Sequence, residues 1–307
     1  MNLNPFNQTK LYGLDIFFDE LKTLADNEKL PTKILFTGYK GCGKCTLALH
    51  LINYILSKNE EFKYDILNNQ IDENNKSYKL ILNSSSPNFY YINLKKDKKT
   101  IDVNQIRELI NFCNKSSFNN LPRFILIDNS EFLNLNSSNA LLKILEEPNE
   151  GIFFILINNS KNILPTIKSR CLNYRINLSN DQTLNIVNNL INDDIFKFVD
   201  KDLLNYYFSA GDILNIYNFS IESKLDFSEM NISNLIQIII KDKIYKKDTQ
   251  LKELIWNFIE IFFSKKGYSL NNYKNYLDHI NLVENTKKFN LDIDSVFVKL
   301  QTNYTNE

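Results

Sequence analysis

The chain has 307 residues, long enough for two or three domains and a sizeable core. Lysine plus arginine equals aspartate plus glutamate, 36 against 36, so bulk charge selects no polyanionic partner and any nucleic-acid contact has to be local. Four cysteines do not make a disulfide framework in a chain of this length, "MNLNPFNQTK" holds no apolar signal core, and the longest apolar runs fall far short of a membrane span; the expectation is a soluble, cytoplasmic protein.

In chain order, "GLDIFFDELKTLADNEKLP" reads as an amphipathic helix stopped by Pro31. "KILFTG" is a short apolar strand, and "KCTLALHLINYILS" a helix with Leu47, Leu51 and Ile55 on one stripe. Residues 58–79 are polar and charged and read as a surface excursion. "FYYINL" is a strand, followed by a helix over "TIDVNQIRELINFCNK" with Asp102 and Gln105 at capping-box spacing and Val103, Ile106, Ile110 and Cys113 facing inward. "RFILID" is near-continuously apolar, as a strand buried on both faces should be. "SSNALLKILEEP" reads as a helix capped near Ser137 and ended by Pro148, "IFFILI" as a strand, "ILPTIKSRC" as a turn with a short helix, and "LNYRINL" as a last strand. Five alternations of strand and helix predict an α/β fold with a five-stranded parallel sheet. Beyond about residue 178 the pattern is helical, with Gly211 closing one helix. The expected organisation is an α/β domain at 1–177, a small helical domain at 178–222 and an all-helical domain at 223–307. The aromatic run "LIWNFIEIFF" reads as core, and Lys95–Lys99 as a solvated turn.

"FTGYKGCGKCTLALH" joins the first strand to the second helix. Gly38, Gly41 and Gly43 let backbone amides converge on phosphates, the helix N-terminus adds its dipole, and Lys44 reaches the terminal phosphates. A redox pair, Cys42-x-x-Cys45, also wants a strand-to-helix junction, but it gives the glycines and Lys44 no role. A tight turn with no ligand is the other reading. Two positions depart from a hydrolysing site. Cys45 stands where a hydroxyl ligates magnesium, and a thiol is a poor ligand for that hard ion; Thr46 is one residue late, about 100° round the helix. Asp128 ends the third strand, where an acid holds magnesium through water, but Asn129 follows it instead of a glutamate and cannot take a proton from water near neutral pH. The expectation is a pocket that takes ATP or ADP weakly and hydrolyses it poorly, with magnesium only alongside nucleotide. Cys113 and Cys171 are isolated, so neither zinc nor any other resident metal is expected, and His50 and His279 read as helix residues.

"NSSNALLKILEEP" and "LPTIKSRC", taken with the loop and Asp128, resemble the clamp-loader branch of the AAA+ ATPases, specifically the clamp loader of bacterial DNA polymerase III. The resemblance is strong over about 10–178 and looser beyond. It implies an α/β ATPase domain, a helical lid and a helical collar that holds an oligomer together. It also implies that Ser169-Arg170-Cys171 matches the family motif whose arginine acts as a finger on the nucleotide of a neighbouring subunit. The implied partners are motor ATPase subunits, a clamp-opening subunit and, through the complex, the sliding clamp and primer-template DNA, with no membrane. Many relatives carry a four-cysteine zinc module after the loop; residues 58–112 here contain no cysteine. Where an active lid presents a basic residue, "SAGDILNIY" offers Asp212. A self-sufficient AAA+ ATPase, a motor subunit or a repair relative, is the alternative. Of the four arginines, Arg107, Arg123 and Arg175 carry no motif and are expected to be structural.

Overall fold

A computed structural model describes residues 3–241, apart from 96–97, 116–118, 160–163, 205–207 and 224, together with 258, 277–278, 281–282 and 284–286. His279, the run 254–263 apart from Phe258, and most of the expected collar lie outside the described residues.

Five strands form one parallel sheet: β1 (Lys33–Thr37), β2 (Phe89–Ile92), β3 (Arg123–Ile127), β4 (Ile152–Asn158) and β5 (Leu172–Arg175), in the order β2-β3-β4-β1-β5. Side chains alternate between two buried layers, as the strand period requires. Ile34, Phe36, Phe124, Leu126, Ile155 and Ile157 pack with Phe18 and Leu21 of α1 (Asp15–Asp26) and Leu47 and Leu51 of α2 (Lys44–Leu56). Leu35, Ile125, Ile127, Phe154 and Leu156 pack on the other face with α4 (Val103–Asn114) and α5 (Leu135–Glu146). The α/β fold with a five-stranded parallel sheet is thus the one the alternating pattern predicts.

Local chemistry explains the element ends. Asp102 accepts from the Asn104 and Gln105 amides while the Gln105 side chain accepts from the Asp102 amide, completing the expected capping box of α4. Its buried stripe is Ile106, Leu109 and Cys113, with Val103 and Ile110 only half-buried, so the inward face is turned slightly from the expected one. Arg123 is buried and donates to the Phe112, Cys113 and Lys115 carbonyls, which satisfies the C-terminal end of α4.

Three expectations are corrected. The cap of α5 is Asn134, which accepts from the Ser137 amide at 2.9 Å; Ser137 lies inside the first turn and donates to the Asn134 carbonyl. Residues 58–79 do not simply skirt the surface. Tyr64, Ile71 and Tyr78 return to the core, Glu60 accepts from the Lys76 and Ser77 amides, and α3 (Lys76–Leu82) forms there. Gly211 does not close a helix but stands second in α8 (Ala210–Ser223), where its lack of a side chain permits a close backbone contact described below.

Two compact units are present. The first comprises Met1–Leu190 and Ser209–Gly211 and holds the sheet, the short α6 (Pro165–Lys168) and nearly all of α7 (Asn180–Ile191). The second comprises Ile191–Phe208 and the chain from Asp212. It contains the rest of α8 and α9 (Ile232–Lys241), and its core includes Val199, Leu203, Ile213, Ile216, Phe219 and Phe227. Among the described residues, no helix is long and apolar enough to cross a membrane.

Candidate functional site

The carboxyl ends of parallel strands are where α/β sheets gather functional groups, because the loops there alternate with helix N-termini. Here that edge collects the loop after β1, Tyr91 and Asn93 around the end of β2, Asp128 and Asn129 after β3, and Asn159 after β4.

Gly43 caps α2 in the left-handed region (φ 90°), so the amides of the first helical turn open toward the loop. A methyl group at Gly38 would lie 2.3 Å from the Ile176 carbonyl oxygen, which excludes any side chain. Gly41 accepts at its carbonyl from the Gly211 amide at 3.0 Å, and a methyl on Gly211 would stand 2.9 Å from the Gly41 Cα. Both glycines are therefore needed for one close backbone contact as much as for conformational freedom.

Lys44 is 3% exposed and folds back onto the loop. Its ammonium donates to the Gly38 carbonyl at 2.9 Å and to that of Tyr39, with Cys42 Sγ 3.7 Å away. Burial lowers its pKa, opposed by Cys42, Asp128 and Glu131. Burial also raises the thiols of Cys42 and Cys45, Cys45 well above the ordinary range with Asp128 adding to the rise. A redox pair needs the opposite, a thiol whose pKa is lowered into the working range. The redox reading of Cys42 and Cys45 is therefore the weaker one.

Asp128 is held by neutral donors. The Asn129 amide donates to Oδ1 at 2.9 Å and the Tyr91 hydroxyl to Oδ2 at 3.3 Å. Burial raises its pKa, the Asn129 and Tyr91 bonds pulling the other way. Behind it runs a chain of amides. Asn159 Nδ2 donates to Asn129 Oδ1 at 2.8 Å, Asn129 Nδ2 to Asn93 Oδ1 at 2.7 Å, and Asn93 Nδ2 to Tyr91 Oη at 2.9 Å. Asn129 itself sits in the left-handed region (φ 55°), which asparagine tolerates. Tyr91, Asn93 and Asn159 are site residues that sequence reasoning missed. Their one signal is an asparagine just past each of three successive strands. Thr46 stays in the first turn of α2 and is half-buried.

Arg170 is not part of this cluster. It precedes β5, whose first residue, Leu172, pairs with Ile34 near the start of β1. That puts it at the amino edge of the sheet, roughly 13 Å of strand away from Gly38. Its guanidinium binds Glu146 at the C-terminal end of α5 (2.6 Å and 3.1 Å) and the Thr166 carbonyl at 3.0 Å. Cys113 is buried on α4 and Cys171 lies beside Arg170; among the described residues no group of three or more histidines, cysteines or acids could hold a metal ion.

A family model described as "DNA polymerase III, delta subunit" matches residues 14–180. The chain belongs to that family. Among curated proteins it is similar to the DNA polymerase III subunit delta' of Pseudomonas aeruginosa, 34% identical over 98 residues that cover 32% of this chain and 30% of that one. It is also similar to the subunit delta' of Buchnera aphidicola subsp. Baizongia pistaciae, 25% identical over 231 residues that cover 68% of this chain and 66% of that one. The chain thus spans less than two thirds of the length of either relative. Among solved structures, a DNA polymerase III gamma subunit-related protein from Thermotoga maritima superposes with a TM-score of 0.55 at 17% identity, covering 92% of this chain and 97% of that one, a likeness of fold.

Proposed function

We propose that this chain is a delta-prime-type subunit of the clamp loader of DNA polymerase III, and that it helps place the sliding clamp on primer-template DNA. Its partners in this reading are motor ATPase subunits and a clamp-opening subunit. Residues 178–222 act as the lid and 223–307 as the collar that joins the subunits. Family membership over residues 14–180 supports the general assignment.

Within it, we propose a division between two ends of the sheet. The loop residues Gly38, Gly41, Gly43 and Lys44 suit phosphate, through amides and one ammonium. Cys45 and Asn129 do not suit turnover, since one replaces a metal-binding hydroxyl and the other a general base. When bound, nucleotide would supply negative charge for Lys44 and the first-turn amides to hold. Arg170 is the catalytic group, and it acts on the nucleotide of the adjacent motor subunit. The observation that carries this is its position at the opposite edge of the sheet from its own loop, out of reach of its own phosphates.

The test is steady-state ATP turnover by the purified chain with magnesium, with Lys44→Ala as the control. Turnover no higher than the control supports a non-hydrolysing subunit. Turnover that depends on Lys44 would make the chain itself a motor and overturn the division.

A further inference from the structure

We infer that the loop takes its nucleoside phosphate without a divalent cation, an inference that rests on the nucleotide reading of the loop. In hydrolysing phosphate-loop proteins a hydroxyl at the start of the helix ligates magnesium directly and the acid ending the aspartate strand holds it through water. Here a thiol stands in place of that hydroxyl. Cys45 is buried at the start of α2, and its soft sulfur is a poor ligand for so hard a cation.

Both oxygens of Asp128 are engaged. Asn159, Asn129, Asn93 and Tyr91 each donate to the next, and the last donor in the series, the Tyr91 hydroxyl, ends on Asp128 Oδ2. Oδ1 takes the Asn129 amide. The direction of the series is fixed at Asn93, whose Oδ1 also accepts from the Leu94 backbone amide at 2.6 Å, so its nitrogen is the atom that donates to Tyr91. Turning Asp128 toward a hydrated cation would break its bonds to Tyr91 and Asn129 together and leave two half-buried donors without that acceptor. Lys44, whose ammonium already lies in the loop, remains to balance phosphate charge. The residues present therefore suit the phosphates and do not suit the metal.

The experiment is a fluorescence titration of the full chain with an N-methylanthraniloyl analogue of ADP, once in millimolar magnesium and once in EDTA, repeated with Cys45→Ser. Wild type is expected to give dissociation constants that agree within about threefold between the two buffers. Cys45→Ser, which restores a hydroxyl of nearly the same size, is expected to bind about tenfold tighter in magnesium than in EDTA. Wild-type binding that is itself about tenfold tighter in magnesium overturns the inference while leaving the nucleotide reading intact. A Cys45→Ser protein that folds but stays indifferent to magnesium overturns the role given to Cys45. Binding in neither buffer overturns the nucleotide reading and the inference with it. Should the variant fail to fold, the wild-type pair of titrations still decides.

Discussion

The two edges of one sheet are finished in opposite ways. At the carboxyl edge the charged groups are tied to the chain itself: buried Lys44 to loop carbonyls, half-buried Asp128 to a phenol and an amide. At the amino edge Arg170 keeps 33% of its side chain exposed and is held mainly by Glu146, which is 52% exposed. A carboxylate satisfied on both oxygens is hard to redirect, whereas an ammonium on neutral carbonyls gains by meeting phosphate. An exposed ion pair is worth little and is readily exchanged for a better partner. The contrast teaches where to look for a residue offered outward, and it is not the loop that first catches the eye.

The largest effect should come from Arg170→Ala in a complex reconstituted with the motor subunits. On the proposed reading, ATP turnover at the site served by this residue drops by ~10³–10⁵. Arg170→Lys should recover little of it, since an ammonium cannot reproduce the planar fork. Unchanged clamp- and DNA-stimulated turnover would break the comparison at its outward end.

The inward end can be sharpened by pH. His50 lies on α2, the helix that the loop opens; its Nε2 hydrogen donates to the Gln8 carbonyl at 3.0 Å and its Nδ1 accepts from the Tyr64 hydroxyl at 2.8 Å. That arrangement fits a neutral ring, and burial lowers its pKa to about 4, the Gln8 bond opposing. In the unfolded chain the ring titrates near ~6.5, so between the two values the unfolded state binds a proton the folded state refuses. The contribution of this ring is complete above pH ~6.5 and is lost as pH falls toward 4, by about 3 kcal/mol in total. Urea unfolding across that range should show a shallower pH dependence in His50→Gln than in wild type. Equal slopes would mean the ring is not held neutral.

How far the sequence reveals all this depends on what each residue competes with. The strands were legible because apolar runs such as "RFILID" and "IFFILI" have no other use, and the α4 cap because Asp102 and Gln105 stand at the one spacing that lets each satisfy the other's backbone. Gly38, Gly41 and Gly43 were legible as a strand-to-helix loop because such closely spaced glycines between an apolar run and a helical stripe fit neither element. The amide series was not. In a chain so rich in asparagine, Asn93, Asn129 and Asn159 look like background, and only the adjacency of β2, β3 and β4 in the sheet lines them up. Gly211 misled because a glycine near a helix boundary usually ends the helix, whereas here the close approach of the Gly41 backbone is what demands it. Residues 58–79 misled because their polarity is real at most positions, while Tyr64, Ile71 and Tyr78, which carry the burial, are widely spaced.

That glycine contact yields the next prediction in size. Gly211→Ala would place a methyl 2.9 Å from the Gly41 Cα, backbone against backbone, so the neighbouring chain has to move. Overpacking of this kind destabilises by about 1–3 kcal/mol. It should also weaken binding of a fluorescent ADP analogue, because Gly41 lies in the loop. A variant as stable as wild type by urea unfolding would show that the loop is free to yield there, and the picture of a tightly tied carboxyl edge would loosen.

The smallest expected effect separates two uses of the same ion pair. Glu146→Gln removes the carboxylate that holds Arg170 but leaves an amide oxygen able to accept one bond. If the pair serves mainly to fasten the end of α5, the variant loses stability and nothing else, and the loss is at most about 1 kcal/mol because both side chains are well exposed. If Arg170 rests on Glu146 only until a neighbouring nucleotide is presented, releasing it removes a competing partner. Turnover of the reconstituted complex should then hold or rise modestly while Arg170→Ala abolishes it. Loss of turnover in Glu146→Gln comparable to that in Arg170→Ala would mean that the pair acts as a unit and that Glu146 aims the guanidinium.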